Sequence, residues 1–153
     1  MTLTELGKKA KETAAFLGVL SSARKNEGLK AAAQALLEGE EEILTANQED
    51  VIKATMEGMS PALVDRLELT PARIQSMAEG LLSVAALDDP VGEVVSMKVR
   101  PNGLQIGQKR VPLGVIGMIY EARPNVTADA FGLCFKSGNA VILKGGSDAL
   151  ESN

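Results

Sequence analysis

Apolar positions recur at helical spacing through the first ninety residues and then change period. Leu3, Leu6, Ala10, Ala14 and Leu17 follow at intervals of three and four. That spacing predicts an amphipathic helix with one packed stripe and a solvated face bearing Lys8, Lys9, Lys11 and Glu12. Thr2 and Glu5 stand at capping-box spacing at its start. A second helix is predicted through Leu29, Ala32, Ala33, Leu36 and Leu37. A third carries Ile43, Leu44, Val51, Ile52 and Met56, with Asn47 a poor fit near its middle. Ser60-Pro61 and Thr70-Pro71 each place a hydroxyl before a proline suited to the first helical position. After the second, Ile74, Met77, Ala78, Leu81 and Ala85 define a buried stripe, and proline at Asp88-Asp89-Pro90 ends the run. Core packing explains Met77 more simply than a cofactor cradle does.

Beyond Pro90 the pattern alternates. Val95, Met97 and Val99 alternate with Ser96, Lys98 and Arg100; Pro101-Asn102-Gly103 turns, and Leu104-Gln105-Ile106-Gly107-Gln108 returns. This predicts a two-stranded ribbon, which alone is marginal in water and needs a partner. Leu113–Ile119 and Ala140–Leu143 are continuous apolar strands flanking a helix through Val126–Lys136. Strands of that kind joined by a helix make a βαβ unit, which calls for a parallel sheet covered on both faces. Two such strands do not complete a domain, so the expected fold class is α/β with an incomplete parallel sheet.

Composition narrows the chemistry. The chain has 153 residues, 45% of them hydrophobic and 24% charged, the balance of an ordinary globular protein. It contains no histidine, which removes Ser-His-Asp and Cys-His catalysis and imidazole zinc sites within this chain. One cysteine makes no internal disulfide. No apolar run approaches the ~18 residues that span a bilayer, and the N-terminal residues lack the basic-then-apolar order of a signal peptide; a cytoplasmic protein is expected. Residues 1–90 hold 9 Lys/Arg against 15 Asp/Glu, whereas residues 91–153 hold 7 against 5. That is a change of architecture rather than a nucleic-acid footprint, which would need a denser basic stripe. Neither nucleic acid nor membrane is an expected partner. The acidic run Glu38-Gly39-Glu40-Glu41-Glu42 admits a metal-attracting reading, but carboxylates at a helix entry are its simpler explanation; no metal site is expected.

Two loops remain as candidates for chemistry, and both lie where open α/β sheets bind ligands, beyond the carboxyl ends of strands. In Tyr120-Glu121-Ala122-Arg123-Pro124-Asn125, Arg123 offers a planar fork for phosphate or carboxylate, and Asn125 an amide able to stabilise an oxyanion. The plainer alternative has Asn125 capping the next helix and Arg123 pairing with Glu121. In Lys144-Gly145-Gly146-Ser147, paired glycines let a ligand approach the backbone, although a strand-to-helix turn explains them equally. Cys134 sits within the apolar helix and reads as a buried structural thiol rather than a nucleophile.

Taken together, several segments resemble the gamma-glutamyl phosphate reductases of the aldehyde dehydrogenase superfamily. They are Leu63–Leu69, Ala78–Leu81, Asp88–Glu93, Arg110–Thr127, Ser137–Ser147 and Glu151-Ser152-Asn153. The resemblance implies an NADPH-dependent reduction of L-glutamyl 5-phosphate to L-glutamate 5-semialdehyde and phosphate in proline biosynthesis. It also implies an aldehyde-dehydrogenase-like, Rossmann-type sheet and a homo-oligomer. Residues 1–90 would then be the helical N-terminal part of the cofactor domain, 91–110 an oligomerisation ribbon, and 111–153 the first βαβ unit of the NADP-binding domain. The nucleophilic cysteine of such enzymes belongs to a later domain, and Cys134 does not match its motif, so the isolated chain is expected to be inactive. Lys144 matches a lysine that contacts the cofactor's ribose, with Gly145, Gly146 and Ser147 beside it; Ser147 stands where NAD-preferring relatives often carry Glu, which implies NADP(H). Asn125 is the nearest match for the oxyanion-hole asparagine, and Arg123 is a candidate substrate contact. The rival expectation is a non-catalytic helical module that presents the ribbon for assembly.

Overall fold

The structure, a computed structural model, describes residues 2–121 and 123–153. Five helices come first: α1 (Leu3–Leu17), α2 (Ser22–Glu38), α3 (Glu40–Met56), α4 (Pro61–Leu67) and α5 (Pro71–Ala86). Strands β1 (Val94–Val99) and β2 (Gln105–Lys109) follow, then β3 (Val115–Ile119), α6 (Asn125–Lys136) and β4 (Ala140–Lys144). A single 3₁₀ turn, Ser147–Ala149, comes after β4.

The helix starts are chemically specified. Thr2 and Glu5 form the full capping box of α1, and the Thr70 hydroxyl accepts from the Arg73 N–H at the head of α5. Glu40, Glu41 and Glu42 occupy the first turn of α3, where the helix dipole favours negative charge. Every residue of the α5 stripe is buried. It packs against α2, joining Leu29, Ala33, Ala78, Leu81 and Ala85 in one core, with Phe131 and Phe135 of α6 stacked at its margin. Burying one such Leu contributes about 1.5–3 kcal/mol, and the alanines let the two helices approach closely.

Two stripes differ from expectation. Leu3 at the start of α1 is 80% exposed, so the buried face begins only at Ala10. In α3, Ile52 and Met56 face outward, and the buried positions are Asn47, Asp50 and Ala54. The Asn47 side chain donates to the Leu67 carbonyl (2.9 Å) and accepts from the Leu69 N–H (2.6 Å). A polar residue is favoured there because it satisfies the backbone linking α4 to α5. Two buried lysines have the same kind of role. Lys25 pairs with Asp89 at 2.9 Å, and Lys136 donates to Asn26 Oδ1 (2.7 Å) and to the Ala85 carbonyl (2.9 Å) at the end of α5.

β1 and β2 pair antiparallel, with Val99 opposite Gln105 and an irregularity near Val95. Gly103, at φ +84°, makes the turn possible. Val95, Met97, Val99 and Ile106 of this ribbon are all exposed. β3 and β4 pair in parallel, Val115 opposite Ala140 through Ile119 opposite Lys144. Both α1 and α6 pack on β4, α1 bringing Ala10, Ala14 and Leu17 against Ala140. Among the described residues no helix is long and apolar enough to cross a membrane.

Candidate functional site

The parallel pairing brings both candidate loops to one edge. The Tyr120 N–H donates to the Lys144 carbonyl at 3.1 Å, one step past the last paired residues of β3 and β4. The loops are then tied by side chains. Tyr120 Oη lies 2.6 Å from Thr127 Oγ1, which donates to Asn153 Oδ1 at 2.7 Å; the Asn153 amide in turn donates to the Ala149 carbonyl at 2.6 Å. A β-carbon at Gly145 would crowd the Asn153 side chain and displace it from this arrangement. The Gly145 position is thus filled by the chain's own asparagine, a packing reason that the sequence alone does not show.

The segment carrying Asn153 is itself held by α3. Asp50, 3% exposed, accepts from the Ser152 N–H (2.8 Å), the Ser152 hydroxyl (2.6 Å) and the Glu151 N–H (3.3 Å). Asn47 Nδ2 donates to the same Ser152 oxygen at 3.0 Å. Bonds to a carboxylate are stronger than neutral ones, so α3 fixes the far end of the loop edge. Neither Asp50 nor the Tyr120–Thr127–Asn153 set stands out in the sequence, because none forms a local pattern.

Arg123 and Asn125 line one solvent-facing cavity of about 420 Å³, bounded by α4, α5 and the start of α6. The Arg123 N–H donates to the Glu121 carbonyl at 2.7 Å. Asn125 is the first helical residue, with Pro124 at the cap position and no side-chain cap bond. Asn125 therefore does not cap α6, and no ion pair joins Arg123 to Glu121 among the described residues. Both side chains remain exposed and available. Arg73, in the same cavity, is committed: it donates to the carbonyls of Asp65 and Glu68 and pairs with Asp65 Oδ1 at 3.0 Å.

Lys144 and Ser147 lie outside that cavity, at the neighbouring loop, and both are exposed. The Ser147 hydroxyl donates to Asp148 Oδ1 at 3.4 Å. An exposed ammonium and an exposed hydroxyl beyond a strand's carboxyl end are groups able to meet the ribose and phosphate of a dinucleotide. The chain continues from Ser147 as a 3₁₀ turn, Ser147–Ala149. Cys134 is a buried free thiol whose burial pushes its pKa above the ordinary value, the opposite of what a nucleophile needs.

No protein-family model matches the chain. In fold it is of the aldehyde dehydrogenase type: a probable aldehyde dehydrogenase from Listeria monocytogenes superposes with a TM-score of 0.70 over 97% of this chain and 30% of that one, at 16% identity, a likeness of fold alone. A nearer group lies within that type. The crystal structure of gamma-glutamyl phosphate reductase from Thermotoga maritima superposes with a TM-score of 0.95 at 48% identity, covering 99% of this chain and 36% of that one. The gamma-glutamyl phosphate reductase of Caldanaerobacter subterraneus subsp. tengcongensis is 60% identical over 146 residues, 95% of this chain and 35% of its own length. Over nearly its whole length the chain is similar to gamma-glutamyl phosphate reductases, and it spans about a third of the length of the relatives it matches.

Proposed function

We propose that the protein carrying this chain reduces L-glutamyl 5-phosphate to L-glutamate 5-semialdehyde and phosphate with NADPH, a cytoplasmic step of proline biosynthesis. The observation that carries this reading is the cavity at the end of β3, where Arg123 and Asn125 stand together and exposed. Arg123 grips the phosphate with a bidentate fork. Asn125 donates to the acyl oxygen as it gains charge; removing one such donor typically costs 10²–10³ in kcat. The attacking cysteine comes from outside these residues, since Cys134 is buried in α6, so this chain alone does not turn over. Residues 1–90 and 111–153 provide part of the cofactor domain, and residues 91–110 pair with a second subunit, whose edge covers the exposed ribbon.

Lys144, Gly145, Gly146 and Ser147 hold the adenosine end of NADP(H), Lys144 as a charge and Ser147 as a hydroxyl donor. The bound cofactor supplies hydride to the acyl carbon. The test is phosphate-dependent reduction of NADP by the full-length protein with glutamate 5-semialdehyde. Asn125→Ala should lower kcat about 10²–10³-fold, and Arg123→Lys should chiefly raise the KM for phosphate. No turnover by the full-length protein would overturn the assignment.

A further inference from the structure

The cavity beside Arg123 holds charges that transfer of the phosphate and hydride does not require. Asp129 lies four residues after Asn125 in α6, so the two side chains leave one face of the helix a single turn apart. Its Oδ1 is 3.8 Å from where a β-carbon on Gly80 would stand, which seats the carboxylate against the backbone of α5. Arg66, in the last turn of α4, lines the same cavity. Among the described residues neither Asp129 nor Arg66 has an ion-pair partner, whereas Asp65 and Arg73 are paired with each other. The cavity therefore has one closed pair that shapes its wall, and Arg66, Glu68, Arg123 and Asp129 are left open to it.

The spacing suits one kind of ligand. In an extended glutamyl chain three C–C bonds separate the acyl carbon from the α-carbon, about 4 Å, with the ammonium one bond further. One turn of α-helix rises about 5.4 Å. An acyl oxygen held by the Asn125 amide thus brings the α-ammonium level with the Asp129 carboxylate. Glu68, another carboxylate of the cavity, stands after α4 and lacks this register with Asn125.

We infer that Asp129 is a specificity-determining residue that receives the α-ammonium group of the substrate, while Arg66 holds its α-carboxylate. This inference rests on the reduction proposed above and adds the end of the substrate that the reaction leaves unchanged. An acyl chain without the ammonium group leaves Asp129 unpaired and is discriminated against; one without the carboxylate does the same to Arg66.

The test uses the full-length protein and two substrates, L-glutamate 5-semialdehyde and its deamino analogue 5-oxopentanoate, each oxidised in the presence of phosphate. The amino substrate cyclises in solution, but its open fraction is the same for every variant, so it cancels when variants are compared. Asp129→Asn should lower the kcat/KM ratio of amino to deamino substrate about 10- to 100-fold, mostly through KM, as loss of a charged hydrogen bond does. Asp129→Glu should recover part of that ratio. Arg66→Gln should raise KM for both substrates, which share the carboxylate. An unchanged ratio in Asp129→Asn, an equal loss on both substrates, or a collapse produced by Glu68→Gln instead would overturn the role of Asp129. An unchanged KM in Arg66→Gln would overturn the role of Arg66. A wild-type protein active on both substrates without preference would overturn the inference alone, whereas one inert to both would overturn the proposed reaction with it.

Discussion

Replacing Lys25 by Met should destabilise the protein by about 3 kcal/mol through the charge it leaves behind. The Lys25 side chain is 1% exposed and its ammonium contacts both oxygens of Asp89, at 2.9 and 3.1 Å. Asp89 is 13% exposed and also accepts the Val91 N–H at 3.0 Å. Met keeps the apolar stem that fills the space under α2 but removes the partner of a largely buried carboxylate. Breaking such a pair costs about 3–5 kcal/mol, and the residual access of Asp89 to water places this one at the lower end. At about 2–4 °C per kcal/mol for a chain of this size, Tm should fall by about 6–12 °C. The control is Lys25→Met with Asp89→Asn. The amide oxygen still accepts the Val91 N–H, no charge stays buried, and stability should return to within about 1 kcal/mol of the original. Urea unfolding followed by circular dichroism measures both, with m unchanged if only the native state is affected. A single variant within about 0.5 kcal/mol of the parent, the range of an ordinary surface change, would refute the reasoning. So would a double variant as unstable as the single one.

Other outcomes follow from the same geometry. Ser147→Glu in the full-length protein should shift cofactor preference from NADP toward NAD, since two unit charges ~4 Å apart repel by about 4 kcal/mol at an effective dielectric of 20, an upper bound at this exposed position; an unchanged ratio of efficiencies would remove Ser147 from the 2′-phosphate site. Cys134 should react with iodoacetamide at least about tenfold more slowly in the folded chain than in urea, because burial raises its pKa and blocks access. Because the folded state keeps that proton longer than the unfolded chain, the thiol's contribution to stability should fall as pH rises past its ordinary value of 9.0, and a pH titration of Tm against Cys134→Ala measures it. Val95→Lys with Val99→Lys should reduce the sedimentation coefficient of the full-length assembly, because both residues lie on the exposed ribbon; an unaltered profile would count against the ribbon as a subunit contact.

Features written in local spacing were legible in the sequence. The α5 stripe, the Thr2–Glu5 capping box, the proline-headed helices, the hairpin and the βαβ unit each depend on residues within a few positions of one another. The position of the loop carrying Arg123 and Asn125, after β3 and into α6, was legible too, because the strand and the helix that flank it are. What escaped was long-range polar pairing. Asn47 looks like a flaw in an apolar helix until Leu67, Leu69 and Ser152 surround it. Asp50 reads as one more surface carboxylate, although it binds a segment about a hundred residues away. In α3 the expected Ile43, Leu44 and Val51 do pack against the core, but Ile52 and Met56 face outward because Asn47 and Asp50 share the buried side with Ala54, and a hydrophobic pattern is blind to polar positions.

That contrast also separates scaffold from site. Nearly every buried polar group here is spoken for: Lys25 by Asp89, Lys136 by Asn26 and Ala85, and Asp50 by Ser152, with no buried side-chain donor or acceptor left without a partner among the described residues. These groups hold the helices and the loop edge in place, and their pairing leaves them nothing to offer a ligand. Arg66, Arg123, Asn125 and Asp129 are the reverse: exposed, grouped around one cavity, and unclaimed by ion pairs among the described residues. An exposed charge costs little to keep in water and is worth more once a ligand excludes that water. The α3 anchors matter to the cavity for the same reason. They hold Ser152, and the next residue, Asn153, accepts from Thr127 in the first turn of α6, the turn that begins with Asn125.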